Sequence, residues 1–238
     1  LFGAGASVNV GGLVASTLAI SDADFMANNY KFSGAGAGSV LNQGTINAAD
    51  GGYVALLGAN VSNQGVIAAQ LGTIALAAGE AVTLDMAGDK LLNVTVDQGA
   101  LNALVENGGM IRADGGQVLL TTQAAGSLLA NVVNNTGVIQ AQTLVTGENG
   151  TIRLLGGTQS GTLNVAGTLD ASAPTGGNGG AIETSAARVN IASGVILTTA
   201  APSGTTGTWL ISPQDFTVGS LSTDNISGPT LSAQLVTN

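Results

Sequence analysis

One phrase recurs along this chain and limits what it can fold into. It reads Asn42-Gln43-Gly44-Thr45-Ile46-Asn47-Ala48, then Asn63-Gln64-Gly65-Val66-Ile67-Ala68-Ala69. It returns as Asn107-Gly108-Gly109-Met110-Ile111-Arg112-Ala113 and Asn135-Thr136-Gly137-Val138-Ile139-Gln140-Ala141. Looser copies follow at Val165-Ala166-Gly167-Thr168-Leu169-Asp170-Ala171 and Ala192-Ser193-Gly194-Val195-Ile196-Leu197-Thr198. Self-similarity of this kind describes one structural unit stacked on itself.

Each copy is followed by a second Gly and a second apolar run, opening at Gly52, Gly72, Gly116, Gly150, Gly180 and Gly207. The distance between the two glycines is 8, 7 and 7 residues (44 to 52, 65 to 72, 109 to 116), then 13 three times (137 to 150, 167 to 180, 194 to 207). The later units therefore carry an insertion of regular length, and the cross-section is expected to widen after residue 137.

A unit of about 20 residues holds three short strands and three turns, and strands that recur once per unit become parallel neighbours about 4.8 Å apart. Parallel connections close with a right-handed sense. The expected fold is all-β: a right-handed parallel β-helix of about ten coils and about 50 Å. Gly44, Gly65, Gly109 and Gly137 mark its turns. Asn42, Asn63, Asn107 and Asn135 stand two residues before them and admit two readings. Their amides can bond along the stack as a ladder, or Asn can serve because it tolerates left-handed backbone in a turn. Both readings are structural.

Other stretches depart from the repeat. Ser21 is a candidate N-cap for a short helical turn before Tyr30-Lys31-Phe32 resumes as strand. Gly34–Gly38 reads as a loop, and Asp50-Gly51 and Asp114-Gly115 as tight turns in which Gly supplies positive φ. Near residues 86–106 the period is broken by a strand at Leu91–Val96 and two turns of helix at Ala100–Glu106, N-capped near Asp97 and stopped by Gly108. This excursion is expected to cover a side or edge of the stack. Pro213–Val218 and Leu231–Val236 read as weaker strands, with no evident cap after them. The expected organisation is an N-terminal part at 1–38, coils at 39–211 and an irregular segment at 212–238 that continues in a longer protein.

Composition narrows the function. Gly accounts for 37 of 238 residues and charged residues for 8%, with a mean hydropathy of +0.40. A disordered chain has the opposite balance. The net charge is -9 with 5 Lys plus Arg, so no basic patch exists to neutralise phosphates, and no nucleic-acid partner is expected. No apolar run of membrane-spanning length occurs, so the chain is not expected to be membrane-embedded. It opens in mid-pattern without a basic signal-peptide region and reads as a piece of something longer. There is no Cys. That suits a polypeptide that must thread unfolded through a pore.

Several stretches resemble the filamentous haemagglutinin-like exoproteins of two-partner secretion systems. They are Leu1–Thr17, Ile20–Phe25, Tyr30–Gly34, Val105–Gly109 running into Ile111–Gly116, and Gly207–Ile211. The resemblance is densest over residues 1–155. It implies a secreted adhesin, outside or on the outer surface of a Gram-negative bacterium. The shaft would be exported by an outer-membrane β-barrel transporter, with a host or matrix glycan or receptor as its target. It also implies that residues 1–38 are the end of the secretion domain, whose Asn-Pro-Asn motif would sit just before Leu1; that motif is absent here, which leaves the transporter-recognition signal partial at best. An alternative is that the region serves mainly export and the templating of folding. Open ends of the stack allow self-association.

A search for reaction chemistry points away from an enzyme. There is no His, which removes His-based acid–base, triad and metal chemistry. A polysaccharide-processing β-helix would need acids grouped in a cleft beside a base. Asp22 with Asp24 and Asp85 with Asp89 are the nearest pairs and read as solvated turn carboxylates. Arg112, Arg153 and Arg188 lack a repeating acid beside them. Gly176–Gly180 has the glycines of a calcium-binding repeat without its Asp, and Gly34–Gly38 lacks the Lys of a phosphate loop. No catalytic, cofactor or metal residue is assigned, no cofactor is expected, and no ligand-contact residue can be named. Trp209, the only Trp, admits two readings: an exposed ring that stacks on a sugar, or core or cap packing, which its place between Thr208 and Leu210 favours; Tyr53 and Tyr30 are open in the same way.

Overall fold

A computed structural model describes residues 1–88, 90–123, 131–144, 148–221 and 223–237. The chain enters through β1 (Ser7–Ser16), a short helix α1 (Asp22–Met26) and β2 (Lys31–Ser33), then winds into a parallel β-helix. Three strand columns form its walls. The first contains β3 (Ser39–Asn42), β5 (Asn60–Asn63), β10 (Leu104–Asn107), β13 (Asn131–Asn135), β16 (Gly161–Val165) and β19 (Arg188–Ile191). The second runs from the first halves of β1 and β4 (Thr45–Gly58) through β6 (Val66–Ala68), β11 (Met110–Arg112), β14 (Val138–Gln140), β17 (Thr168–Asp170) and β20 (Ile196–Thr198). The third runs from the second halves of β1 and β4 through β7 (Thr73–Ala78), β12 (Gln117–Thr122), β15 (Thr151–Leu155), β18 (Ala181–Ser185) and β21 (Thr208–Ser212). Every pairing between successive rungs is parallel.

The register brings like onto like, which fills a thin interior without large voids. Ile46, Ile67, Ile111, Ile139, Leu169 and Leu197 stack in one line. Val40, Val61, Val105, Val133, Leu163 and Val189 form another. On the third wall, Val54, Ile74, Val118, Ile152 and Ile182 lead to Trp209. Thr184 is a polar residue buried on this wall, as are Thr121 and Thr122 of β12. Thr184 is fully buried, and its hydroxyl accepts the Trp209 indole N–H at 3.1 Å and donates to the Leu210 carbonyl at 3.2 Å.

The repeat glycines sit where one rung rests on the next. A Cβ on Gly65, Gly109, Gly137 or Gly167 would run into the carbonyl oxygen of the repeat Gly one rung earlier, and Gly72, Gly116, Gly180 and Gly207 are hemmed in the same way. Close backbone approach is what these positions require. Gly51 and Gly115 play the other role, with φ +76° and +69° in the expected turns.

β8 (Ala81–Ala87) and β9 (Lys90–Gln98) leave the helix as an antiparallel hairpin that pairs with β2. This small sheet packs on the outside of the third wall. It forms a second core from Leu18, Phe32, Val82, Leu84, Leu91, Val94 and Val96 against Ala55, Leu57, Ala75, Ala77 and Leu119. The excursion near residues 86–106 thus covers a side of the stack.

Six sequence expectations are corrected. The last repeat copy is out of step by one residue: Ile196 and Leu197 pair with Thr168 and Leu169, so Val195 rather than Gly194 holds the position of Gly167. No helix forms at 100–106: Leu101 and Asn102 turn, with Asn102 at φ +54°, and Leu104–Asn107 is β10, paired with β5 and β13. Helix-favouring residues yield there because the ladder supplies backbone partners on both sides. Asp97, expected near a helix cap, lies in β9, and its carboxylate accepts from Thr83 at 2.6 Å. Leu231–Val236 lies in helix α2 (Gly228–Thr237) rather than a strand, with Ser227 Oγ accepting the Thr230 N–H at 3.1 Å as an N-cap. Pro213–Val218 contributes only an isolated bridge, Val218 to Ile226. Finally, the second column has seven strands, β1 to β20, so the stack is seven rungs and about 29 Å tall rather than ten and 50 Å.

Candidate functional surfaces

Asn42, Asn63, Asn107 and Asn135 are all fully buried at one corner of the interior. Asn42 Nδ2 donates to Asn63 Oδ1, Asn63 to Asn107, and Asn107 to Asn135, each at 2.8 Å. Their second amide hydrogens turn to rung carbonyls, such as Val138 at 3.4 Å from Asn107. None has positive φ, so tolerance of left-handed backbone does not account for them. The line continues in register into Val165 and Ile191, where no amide remains to satisfy. These residues build the scaffold and face no solvent.

Parts of the uncovered outer faces are polar, although Val66, Val138, Ile196 and Leu210 are exposed there too. On the first wall Asn190 donates to Asn164 at 2.7 Å and Asn164 to Asn134 at 2.8 Å, an amide row along three rungs. At the corner after the second wall, the Gln140 side-chain amide donates to both oxygens of Asp114 (3.0 and 2.9 Å), and that of Gln142 to Asp170 at 2.7 Å. The insertions of the later units stack there too: Thr143 N–H donates to the Ser172 carbonyl and Ala173 N–H to the Ala200 carbonyl, both at 2.8 Å. The added residues of the later units thus stack on one another at this corner, between the second and third walls.

The residues weighed for chemistry do not converge. Asp24 accepts from Ser21 Oγ at 2.6 Å and Asn29 Nδ2 at 2.7 Å, while Ser21 Oγ caps α1 by accepting the Asp24 N–H. The Ser21 bond first, then that from Asn29, holds the Asp24 carboxyl below its ordinary range. Asp85 lies in β8, and Asp89 is outside the described residues. Arg112, Arg153 and Arg188 are dispersed over the second, third and first walls. Arg153 pairs with Glu183 at 2.8 Å, Arg188 donates to the Thr223 carbonyl at 3.0 Å, and Arg112 lies 4.0 Å from Asp114. Among the described residues no group of three His, Cys, Asp or Glu is placed to hold a metal. In the Gly176–Gly180 loop, the Asn178 side chain accepts the Thr205 N–H, tying the insertion to the next rung.

The sequence reading missed a large concavity. A groove of about 1010 Å³ lies between the outer face of β1 and β4 and the antiparallel sheet. Val14, Ile20, Phe25, Tyr53 and Met86 line it, and Asp50 and Lys90 sit among its lining residues. Phe25 and Tyr30 meet edge to face there, with ring centroids 6.3 Å apart. The signal was present: the third-wall strands of the early rungs are apolar at every position, as in Val54–Leu57 and Ile74–Ala78, and a strand apolar on both sides is buried on both sides. No described helix is long and apolar enough to cross a membrane.

Known proteins give this geometry a family. The crystal structure of the HMW1 secretion domain from Haemophilus influenzae superposes with a TM-score of 0.59 at 24% identity, over 83% of this chain. The chain spans 60% of the length of that domain. At that identity the likeness speaks for the fold, a parallel β-helix. No curated protein matches by sequence. The TPS secretion domain family matches residues 1–171, well over half of the chain. This chain belongs to the TPS secretion domain family and is part of a two-partner secretion exoprotein.

Proposed function

We propose that this chain serves export and the templating of folding: an outer-membrane transporter recognises it, and it folds rung by rung outside the cell of a Gram-negative bacterium. The family match carries this reading, and the architecture supports it. Each rung draws its backbone partners and its buried surface from the rung before, so a chain arriving from one end can fold in order without waiting for distant parts. The absence of Cys means that no crosslink obstructs passage.

The test is secretion of the chain by a Gram-negative host expressing the exoprotein's transporter. Secreted protein is expected with the transporter and none without it. Equal secretion in both strains overturns the reading.

Attachment, the expectation drawn from the filamentous haemagglutinin resemblance, is a second reading. The outer amide row Asn134–Asn164–Asn190 favours it, because it offers repeated donors and acceptors along a flat wall. Binding of the purified chain to a glycan array, lost on Asn164→Ala, is the outcome that supports it. An array with no bound glycan removes it.

A further inference from the structure

The last rung presents three strand edges, and they are finished differently. On the first wall, Ile191 N–H donates to the Asn225 carbonyl at 2.7 Å, and Asn225 Nδ2 donates to the Val189 carbonyl at 2.7 Å. On the second, Leu197 N–H donates to Gln234 Oε1 at 3.0 Å, and Gln234 Nε2 donates to the Val195 carbonyl at 3.3 Å. The Gln234 side-chain amide thus stands in for a backbone peptide of a further rung, and Asn225 does the same with its main and side chains together. Both come from the segment that follows β21.

The third wall has no such closure. Thr208 N–H donates to Gly180 toward β18, and backbone groups alternate sides along a strand, so those of Trp209 and Ile211 face away from the stack. β21 pairs only with β18, and among the described residues no partner meets these groups. Trp209 and Ile211 are half-buried, with side chains packed on the core. Thr208–Ser212 contains no charge and no Pro, the devices that ordinarily protect an edge.

We infer that the end of the stack is capped asymmetrically, so that β21 is the edge on which the next strand of the exported polypeptide pairs. This rests on the templating reading above and assigns it a place. The geometry also sets the strand's chemistry. It runs parallel to β21, with apolar residues opposite Trp209 and Ile211 and uncharged residues between them. It opens with Gly, because a Cβ opposite Gly207 would meet its carbonyl as a Cβ on Gly207 meets that of Gly180. The recognised pattern is Gly–x–apolar–x–apolar.

The chain carries its own reporter, because Trp209 is the only Trp. The test appends this chain's residues 116–122 (Gly-Gln-Val-Leu-Leu-Thr-Thr) after Asn238 through about 15 Gly/Ser residues, which hold the segment at high local concentration. Expected are a blue shift of Trp209 emission and about tenfold slower amide exchange at Trp209 and Ile211. The same segment with its leading Gly replaced by Val is expected to produce neither. Asn225→Ala with Gln234→Leu is expected to speed exchange at Ile191 and Leu197 and leave Trp209 unchanged. Three results overturn the inference: unchanged emission and exchange at β21, equal action by the Val-led segment, or concentration-dependent protection of β21 in the unmodified chain, which gives the edge to a second copy. Secretion is assayed separately. Its failure removes the export reading while leaving the strand-pairing result intact.

Discussion

The first four rungs and the last three share one repeat but solve different problems. Along the outward line of the third wall, Val14, Ala55, Ala75 and Leu119 lie beneath or beside the antiparallel sheet, and the same line continues in register as Arg153, Glu183 and Leu210. At the interior corner the change falls one rung later: Asn42 to Asn135 form a bonded amide ladder through the fifth rung, where the last two rungs carry Val165 and Ile191. The rung needs only its inward aliphatics and its close-packed glycines. What it shows to the outside, and whether its corner is polar, depends on what lies next to it.

The strongest challenge to this contrast is a charge at the same register position in each region. Leu119→Arg places a cation under the antiparallel sheet, in a site only 6% exposed, with no described acid in that core. The expected loss is about 3–5 kcal/mol, read as a lower urea midpoint. Arg153→Leu, its neighbour one rung on, gives up one part-exposed ion pair and should change stability by less than about 1 kcal/mol. Equal effects would mean that the sheet does not seal this wall.

The corner comes next. Asn107→Ala strands a donor on Asn63 and an acceptor on Asn135, both fully buried, and should cost about 2–4 kcal/mol. Val165→Asn places an amide opposite Asn135 and tests whether the ladder can be lengthened. A loss under about 1.5 kcal/mol is expected if the new amide bonds.

Glycines of the repeat phrase should separate as well, because in its last copy Val195 rather than Gly194 holds the stacked position. Gly109→Ala drives a methyl into the Gly65 carbonyl and should cost about 1–3 kcal/mol. Gly194→Ala meets nothing within 4 Å and should stay within about 0.5 kcal/mol of the unmodified chain. The smallest effect concerns pH. The folded Asp24 carboxyl lies below its ordinary value of 3.8, so its contribution is complete above that value and fades as pH falls through the folded one. Asp24→Asn should abolish this acid-side loss in α1, followed by amide exchange at residues 22–26.

Much of the molecule was legible in advance. The glycines of most units marked where strands begin, and the apolar residues after them became the stacked interior, although in the last copy Val195 rather than Gly194 holds the stacked position. Ser21, followed by acids, announced α1. What failed did so where a local signal met a distant partner. Ala100–Glu106 has helix-forming residues, yet β5 and β13 wait on either side. Leu231–Val236 alternates weakly enough to suggest a strand, while Ser227 capping Thr230 starts a helix. The asparagines stayed ambiguous because a turn residue and a ladder residue look the same until the φ angle and the next rung are known.

By itself, then, the sequence determined the repeating unit, its parallel stacking and its lack of His and Cys, because those depend on periodicity and composition that each unit carries alone. Tertiary structure decided how many rungs stack, which wall the hairpin seals, and that Asn225 and Gln234 close two edges while β21 stays open. Those outcomes depend on pairing between residues tens of positions apart, and no short window of sequence contains both partners.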